Sequence, residues 1–527
     1  MVCKALIQSL QAFKKVNSMR KLLKFLFSRR FIGSFLLILQ IGIILMSILR
    51  INEYFLYFDI FLKAVSLVTV VLIINRHVNP MYKLAWVVPI LIFPMFGGLL
   101  YLFASGQLAT KMFFRKLSDA EKKITSLFPQ NEKILSEIEE IHPERKNSVT
   151  FINSVSGSAA YRCENAEYFS VGEEMLASLT KELKKAEKYI FLEFFIIKKG
   201  AMWNSVLEIL KEKASEGVDV RVMYDGMGSM TTLPFSYPKE LEKHGIKCRV
   251  FNPFTPFLST IQNNRDHRKI AVIDGKVAYT GGINLSDEYI NVGYTRGHWK
   301  DMAVKIEGEA AFSFSMMFLH LWWSTNKKEN SLDLLKPSFE YSDTNDGYVM
   351  PYADMPQDKY QTGEFVYLDI INKAKKYVHI TTPYLILDHE MVIALTHAAM
   401  SGVDVKIICP LSIDHWYARS VAFSYYKELT ESGVKIYEYT PGFIHGKTFV
   451  SDDDVAVVGS INLDYRSLYL NFECAAWFLD SHIAHDVEND FDETLSKCRE
   501  ITLEECQKRS FVRKLFSAML RLFGPLM

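Results

Sequence analysis

The sequence predicts an α/β protein made of two copies of one unit, preceded by a membrane-spanning helical region. Three observations carry that prediction. Short blocks recur at a nearly constant offset: Ala186-Glu-Lys-Tyr189-Ile190 against Ala374-Lys-Lys-Tyr377-Val378, Gly217-Val-Asp-Val220 against Gly402-Val-Asp-Val405, and Gly245-Ile-Lys247 against Gly433-Val-Lys435. Within each copy, β-branched apolar runs alternate with helical ones, the pattern of sheets flanked by helices. Finally, the first hundred residues hold apolar runs of bilayer length.

In chain order, residues 1–30 form a basic segment carrying Lys4, Lys14, Lys15, Arg20, Lys21, Lys24, Arg29 and Arg30 with no acid. Residues 31–106 are expected to be a transmembrane region of two or three helices. Phe31–Leu49 and Leu84–Phe103 are its main candidates, and Phe55–Ile74, which holds Asp59 and Lys63, is the third. The basic N-terminus and the cations Lys111, Arg115 and Lys116 both point to the cytoplasmic side. That requires an even number of crossings, whereas the candidates number three. Residues 107–147 read as a helical linker, with a charged helix over about Ser118–Glu140.

The first lobe is expected over 148–325, a polar connection over 326–347 and the second lobe over 348–508. Each runs strand (Tyr189–Ile197; Tyr377–Thr382), helix (Trp203–Glu216; His389–Ser401) and strand (Val218–Tyr224; Val403–Cys409). Residues 509–527 read as a basic amphipathic helix, either lying on anionic lipid or docked on the domain.

Composition excludes several classes. The net charge of +1 argues against a nucleic-acid binder. Seven scattered cysteines without CxxC spacing suit packed thiols rather than disulfides or a zinc site. No Walker loop, HExxH or Cys/His cluster occurs, so neither a metal nor another cofactor is expected.

The chemistry lies in a duplicated pattern, His-x-Lys-x-x-x-x-Asp, at His267, Lys269, Asp274 and at His445, Lys447, Asp452. Gly281, Gly282 and Asn284 follow the first copy as Gly459, Ser460 and Asn462 follow the second. Alternation along a strand puts each histidine and its lysine on one face. Both aspartates read as turn residues that stabilise the site without doing proton chemistry. Two histidines, two lysines and two amides are an inventory for attacking a phosphodiester without a metal. A neutral imidazole attacks the anion, a second imidazole moves protons, and the lysines and amides hold the non-bridging oxygens. That division requires the two copies to face one cleft.

From about Ser148 onward, the chain resembles the phospholipase D superfamily, and within it the bacterial cardiolipin synthases. Beyond the duplicated motif, the resemblance rests on Arg296, Trp299 and Asp301, and on Asp464, Arg466, Ser467, Asn471 and Glu473. It also rests on Thr382-Pro-Tyr384, on Tyr437 through Phe443, and on the anchor-like Gly97–Phe103 run. The resemblance implies a phosphatidyl transfer between two phosphatidylglycerol molecules through a phosphatidyl-histidine, in a multi-pass protein of the bacterial cell membrane. It implies anionic membrane lipids as partners. His267 is implied as nucleophile and His445 as acid/base, an order the residues themselves do not decide. Glu473 is expected to orient His267, and Asp301 to orient His445. Related chemistries remain as alternatives: a phosphatidylserine synthase, a hydrolysing phospholipase D, a nuclease, or an inactive lipid-binding scaffold.

Other positions have plainer expectations. Glu193, in an otherwise apolar strand, either pairs with a cation in the cleft or faces solvent. Trp322-Trp323 beside His320 packs a helix. Of the remaining histidines, His298 and His415 are the two near functional segments.

Overall fold

The computed structural model describes residues 53–76, 79–94, 132–254, 260–325, 346–412 and 416–526. It also describes 97–98, 112–115, 117–118 and positions 38, 42 and 101. The chain divides into two compact units, 1–112 with 254–263, and 113–253 with 264–527.

In the first unit, helix α1 (Glu53–Ile74) is followed by α2 (Pro80–Ile92). Helix α2 starts where Asn79 caps the Met81 amide at 2.9 Å and Pro80 supplies a preset φ at the first turn. Val70, Ile73, Ile90 and Tyr101 form a small core between them. The expectation of a transmembrane region is corrected here: among the described residues, no helix is long and apolar enough to cross a membrane. The Leu84–Phe103 run does not form one long helix, because α2 stops at Ile92 after 13 residues. At about 1.5 Å per residue that is roughly 20 Å, short of a hydrocarbon core of about 30 Å. Helix α1 carries Asp59 and Lys63 in its sequence. Phe31–Leu49 lies outside the described residues apart from 38 and 42, as do Lys111, Lys116 and most of the linker before Glu132.

The second unit contains both lobes. It opens with α3 (Glu132–Ile141), α4 (Lys146–Ser156) and β1 (Tyr161–Arg162). The first lobe then runs β2 (Asn165–Phe169), α5 (Gly172–Leu183), β3 (Tyr189–Phe194), α6 (Ala201–Ser215), β4 (Asp219–Asp225), α7 (Tyr237–Glu242) and β5 (Lys247–Phe251). It continues with β6 (Lys269–Ile273), β7 (Val277–Gly281), β8 (His298–Lys300), β9 (Ala303–Glu307) and α8 (Glu309–Thr325). The connection over 326–345 lies outside the described residues.

The second lobe repeats the series with β10 (Tyr348–Asp354), α9 (Thr362–Lys373), β11 (Tyr377–Thr381), β12 (Leu385–Ile386), α10 (His389–Met400), β13 (Asp404–Pro410), α11 (Trp416–Glu431) and β14 (Lys435–Tyr439). Then come β15 (Gly442–Ile444), β16 (Thr448–Ser451), β17 (Val455–Gly459), β18 (Leu463–Asp464), α12 (Tyr465–Tyr469) and β19 (Glu473–Leu479). Helix α13 (His482–Leu495), β20 (Cys498–Glu500), α14 (Leu503–Lys508) and α15 (Phe511–Arg521) complete the chain.

The two sheets share one strand order. The first is β2-β9-β7-β6-β3-β4-β5, and the second is β10-β19-β17-β16-β11-β13-β14 with β1 and β20 added at its edges. In both, the histidine-motif strand (β6, β16) pairs antiparallel with the central strand (β3, β11), whose other neighbour is parallel. Every residue of β3 and of β6 is buried, as expected of strands covered on both faces. On one face of the first sheet, Trp203, Val206 and Leu210 of α6 cover Ile190, Leu192 and Val220. On the other, Phe191, Val272 and Val304 join a core with Val450, Val458 and Ala476 of the second sheet. Two α/β layers therefore meet sheet to sheet. The first sheet begins at Asn165, although the first lobe was expected from 148. The preceding β1 joins the edge of the second sheet beside β10.

Helix α8 is buried almost throughout. Trp322 stacks on Phe318 at 5.4 Å, with the Arg249 guanidinium 3.9 Å over its ring. His320 Nε2 bonds the Leu117 carbonyl at 3.0 Å, and burial pushes the ring down to about 4. These are packing roles. The described cysteines are all thiols, mostly buried.

Candidate active site

Two short backbone junctions stitch the lobes together, each beside one histidine. Strand β8 pairs in parallel with β15, and the His445 amide donates to the Lys300 carbonyl at 2.7 Å. Asp266 bridges Phe472, and the His267 amide donates to the Phe472 carbonyl at 2.9 Å. Lys300 directly precedes Asp301, and Phe472 directly precedes Glu473. Each histidine is thus threaded against the residue before the other lobe's acid.

The side chains follow. His267 Nδ1 lies 2.9 Å from Glu473 Oε1 and 3.0 Å from Oε2. His445 Nδ1 lies 2.6 Å from Asp301 Oδ2. All four side chains are buried. Ser460 Oγ donates to Glu473 Oε2 at 2.5 Å and Asn471 Nδ2 to Oε1 at 3.1 Å. Asp301 accepts the Met302 amide at 2.8 Å. Lys269 and Lys447 curl back so that each ammonium donates to the carbonyl of its own motif's histidine. Lys447 Nζ also lies 2.8 Å from His445 Nδ1.

Burial sets the electrostatics. It pushes the His267 ring down to about 4, against the pull of Glu473, so the ring is neutral at pH 7. Burial pushes the Lys269 ammonium down to about 7 and raises the Asp301 carboxyl to about 7. Burial would raise Glu473 as well, but His267, Lys269 and Ser460 hold it below the usual carboxylate range. Glu473 is therefore the ionised member, and it fixes a proton on His267 Nδ1.

The amides behave differently from one another. Asn284 Oδ1 accepts the Ile196 amide at 3.0 Å, and its Nδ2 donates to Tyr289 Oη at 2.7 Å. Asn462 Oδ1 is buried with no hydrogen-bond partner among the described residues. The two aspartates of the motifs lie away from the histidines, at the turns that end β6 and β16. Asp274, at φ +54°, accepts the amides of Glu187, Lys188 and Tyr189 at 2.7–2.8 Å. Asp452, at φ +56°, accepts those of Lys375, Lys376 and Tyr377 at 2.7–3.0 Å.

Aromatic rings wall the site unevenly. His445 sits among Trp299 at 5.6 Å, Tyr289 at 5.7 Å and Phe443 at 5.8 Å between centroids, whereas Phe195 meets His267 at 5.0 Å. The Trp299 Nε1 atom is buried with no hydrogen-bond partner among the described residues. His298 Nδ1 meets Tyr439 Oη at 3.1 Å, and His415 lies outside the described residues. Glu193 is fully buried and pairs with Arg268, at 2.7 Å to Nε and 2.6 Å to Nη2.

Sequence reasoning passed over Asp225. At the end of β4 it accepts the amides of Met227, Gly228 and Asp266 at 2.7, 2.8 and 3.1 Å, and so anchors the residue before His267. Burial pushes its carboxyl up to about 6. Its second-lobe equivalent at the end of β13 is Pro410, so the repeat carried no signal for it. Ser460 was legible only as a small residue. Setting it against Gly282 in the other copy is the comparison that singles it out.

The family described as cardiolipin synthase, PLD-like domain, matches residues 179–322 and 367–495. That described as phospholipase D-nuclease N-terminal matches 64–106. A cardiolipin synthase of Halalkalibacterium halodurans is 33% identical over 87% of this chain and 91% of its own length. One of Geobacillus kaustophilus is 32% identical over 88% and 93%. An uncharacterized protein of Streptococcus mutans is 45% identical over 87% of this chain and 99% of its own length. The crystal structure of a phosphatidylserine synthase from Haemophilus influenzae superposes with a TM-score of 0.54, 14% identity, and coverage of 73% of this chain and 100% of that one, a likeness of fold. The duplicated motif, the shared strand order and relatives similar over nearly their whole length agree: the chain belongs to the cardiolipin synthase family of phospholipase D-like proteins.

Proposed function

We propose that the chain is a cardiolipin synthase acting at a membrane surface, joining two phosphatidylglycerol molecules into cardiolipin and glycerol through a phosphatidyl-histidine. The observation that supports it best is the crossed pairing, in which Glu473 takes Nδ1 of His267 and Asp301 takes Nδ1 of His445. Each carboxylate then offers Nε2 of its ring to the phosphorus.

In the first step His267 Nε2 attacks phosphorus, and the phosphorus–oxygen bond to glycerol breaks. The departing oxygen takes a proton from His445. In the second step His445 removes the proton from the terminal hydroxyl of another phosphatidylglycerol. That oxygen attacks phosphorus, and the bond to His267 breaks. One phosphodiester replaces another, so the balance requires neither nucleotide nor oxidant. Lys269, Lys447, Asn284 and Asn462 are proposed to hold the non-bridging oxygens.

The charge state of His267 supports its assignment as nucleophile. A ring held near 4 keeps its lone pair at neutral pH, and ionised Glu473 stabilises the imidazolium-like adduct. The test supplies the purified protein with phosphatidylglycerol alone in detergent containing a chelator. Equimolar cardiolipin and glycerol are expected. Phosphatidic acid plus glycerol would reassign the chain to hydrolysis, and lipid bound without turnover would make it a scaffold.

A further inference from the structure

Helix α15 is built the wrong way round for a helix that only packs on its own domain. Its buried member is Ser517, 3% exposed, while Phe511, Val512, Leu515 and Met519 are 77, 74, 50 and 56% exposed. At 100° per residue those four fall on one stripe, with Leu522 and Phe523 continuing it, and Ser517 lies opposite. An ordinary surface helix buries its large apolar residues and exposes its small polar ones.

The polar side holds α15 to the second lobe. The Arg521 guanidinium sits 4.1 Å over the Tyr425 ring of α11. The turn at Gly524–Leu526 packs on α12. That attachment reaches the segment that follows Asn462, because α12 follows β18, which pairs with β12 and begins directly after Asn462.

The charge pattern decides what covers the stripe. From Cys506 to Met527 the chain carries Lys508, Arg509, Arg513, Lys514 and Arg521 and no acid. A second copy of the same face would bring like charges together, whereas an anionic bilayer presents opposite charge over an apolar interior. We infer that α15 is an interfacial anchor, which lays Val512, Leu515, Met519 and Leu522 into the headgroup boundary of an anionic bilayer and seats the second lobe's side of the cleft on the substrate. The choice of bilayer rests on the proposed function, since a lipid drawn from a membrane must reach a cleft held against that membrane.

The test follows backbone hydrogen exchange at 511–523 in the full chain reconstituted in nanodiscs. With phosphatidylcholine and phosphatidylglycerol at about three to one, exchange there is expected to slow about tenfold or more relative to phosphatidylcholine alone. The double variant Leu515→Glu/Met519→Glu should lose that protection. It should raise KM for bilayer phosphatidylglycerol about tenfold, while turnover of dihexanoyl phosphatidylglycerol below its micellar concentration stays unchanged. Exchange indifferent to lipid would overturn the inference, as would protection that grows with protein concentration in lipid-free solution. A protein that makes no cardiolipin from either substrate yet shows lipid-dependent protection would sink the proposed function and leave the anchor standing.

Discussion

Around His267 the carboxylate is a glutamate clamped by Ser460 and Asn471, whereas around His445 it is an aspartate, with Gly282 standing where the other lobe has Ser460. The glycine is required there. A Cβ at Gly282 would lie 2.0 Å from Asp301 Oδ1. The shorter acid comes closer to its own strand and leaves no room for a hydroxyl to brace it. Lys447 then reaches the same Nδ1 that Asp301 holds, whereas Lys269 donates to the His267 carbonyl and lies over the Phe195 ring. That nitrogen can give a proton to Asp301 or accept one from Lys447, but not both. One duplicated scaffold thus yields one imidazole with a fixed tautomer and one whose protons are negotiable. A nucleophile needs the first, and a group that alternates between acid and base needs the second.

The largest expected effect separates those roles. His267→Asn and His445→Asn should each lower turnover of phosphatidylglycerol by about 10⁴-fold or more, because they act as a unit. They should diverge on a phosphatidyl ester with a nitrophenolate leaving group, which departs without a proton. His445→Asn should still release nitrophenol in a stoichiometric burst and retain a radiolabelled phosphatidyl adduct, and His267→Asn should do neither. A burst from His267→Asn instead would reverse the assignment.

Next come the clamps. Glu473→Gln should cost about 10²–10³-fold in kcat, by unsettling the His267 tautomer, with lipid binding retained. Gly282→Ala should lower kcat severalfold more than Ser460→Ala, for which loss of one charge-assisted hydrogen bond predicts about tenfold. Steady-state kinetics of the three variants side by side checks the order. Equal losses at Gly282 and Ser460 would mean that the lobes are not braced differently.

How much of this was legible without coordinates follows the same division. The duplicated histidine, lysine and acid positions were readable because the repeat prints each twice, and strand alternation sets the face. The crossed acids were expected from the resemblance, and the asymmetry was hidden because it lies in what braces each of them, Ser460 and Asn471 on Glu473 against Gly282 beside Asp301. Asp225 was unreadable for a related reason: it acts through backbone amides, which any sequence supplies. The Leu84–Phe103 run misled because hydropathy reports composition over a window. It does not report where a helix ends, and α2 ends at Ile92 inside the Leu84–Phe103 run.

A smaller effect distinguishes the lysines by pH. Burial holds Lys269 near 7, so the free enzyme loses that ammonium as pH rises through 7, and with it one charge for the substrate phosphate. The bound anion restores the charged form. The alkaline fall should therefore appear in kcat/KM from about pH 7 and move to higher pH in kcat. Lys269→Arg should abolish the fall in kcat/KM at some cost in kcat, since the guanidinium stays charged but does not reproduce the geometry. An alkaline limb unchanged in Lys269→Arg would assign the titration to another group, such as Asp301 beside His445, which is also held near 7.

The two lobes agree most closely where they do no chemistry. Asp274 and Asp452 each close the same turn, in the same left-handed conformation, on three amides at the start of the neighbouring strand. Six residues of largely extended chain separate each from its histidine, about 23 Å over seven steps of 3.3 Å. Asn tolerates the left-handed backbone but replaces one accepting oxygen with a donor. Asp274→Asn and Asp452→Asn should therefore each lower stability by about 1–3 kcal/mol and the melting temperature by a few degrees, with kcat within about twofold of the parent. A loss of kcat comparable to that of Glu473→Gln, with melting unchanged, would return these aspartates to the reaction. Equal melting shifts at both positions would mark them as the joint that holds each histidine strand in register. The duplicated scaffold would then be kept identical at its turns and varied at its acids.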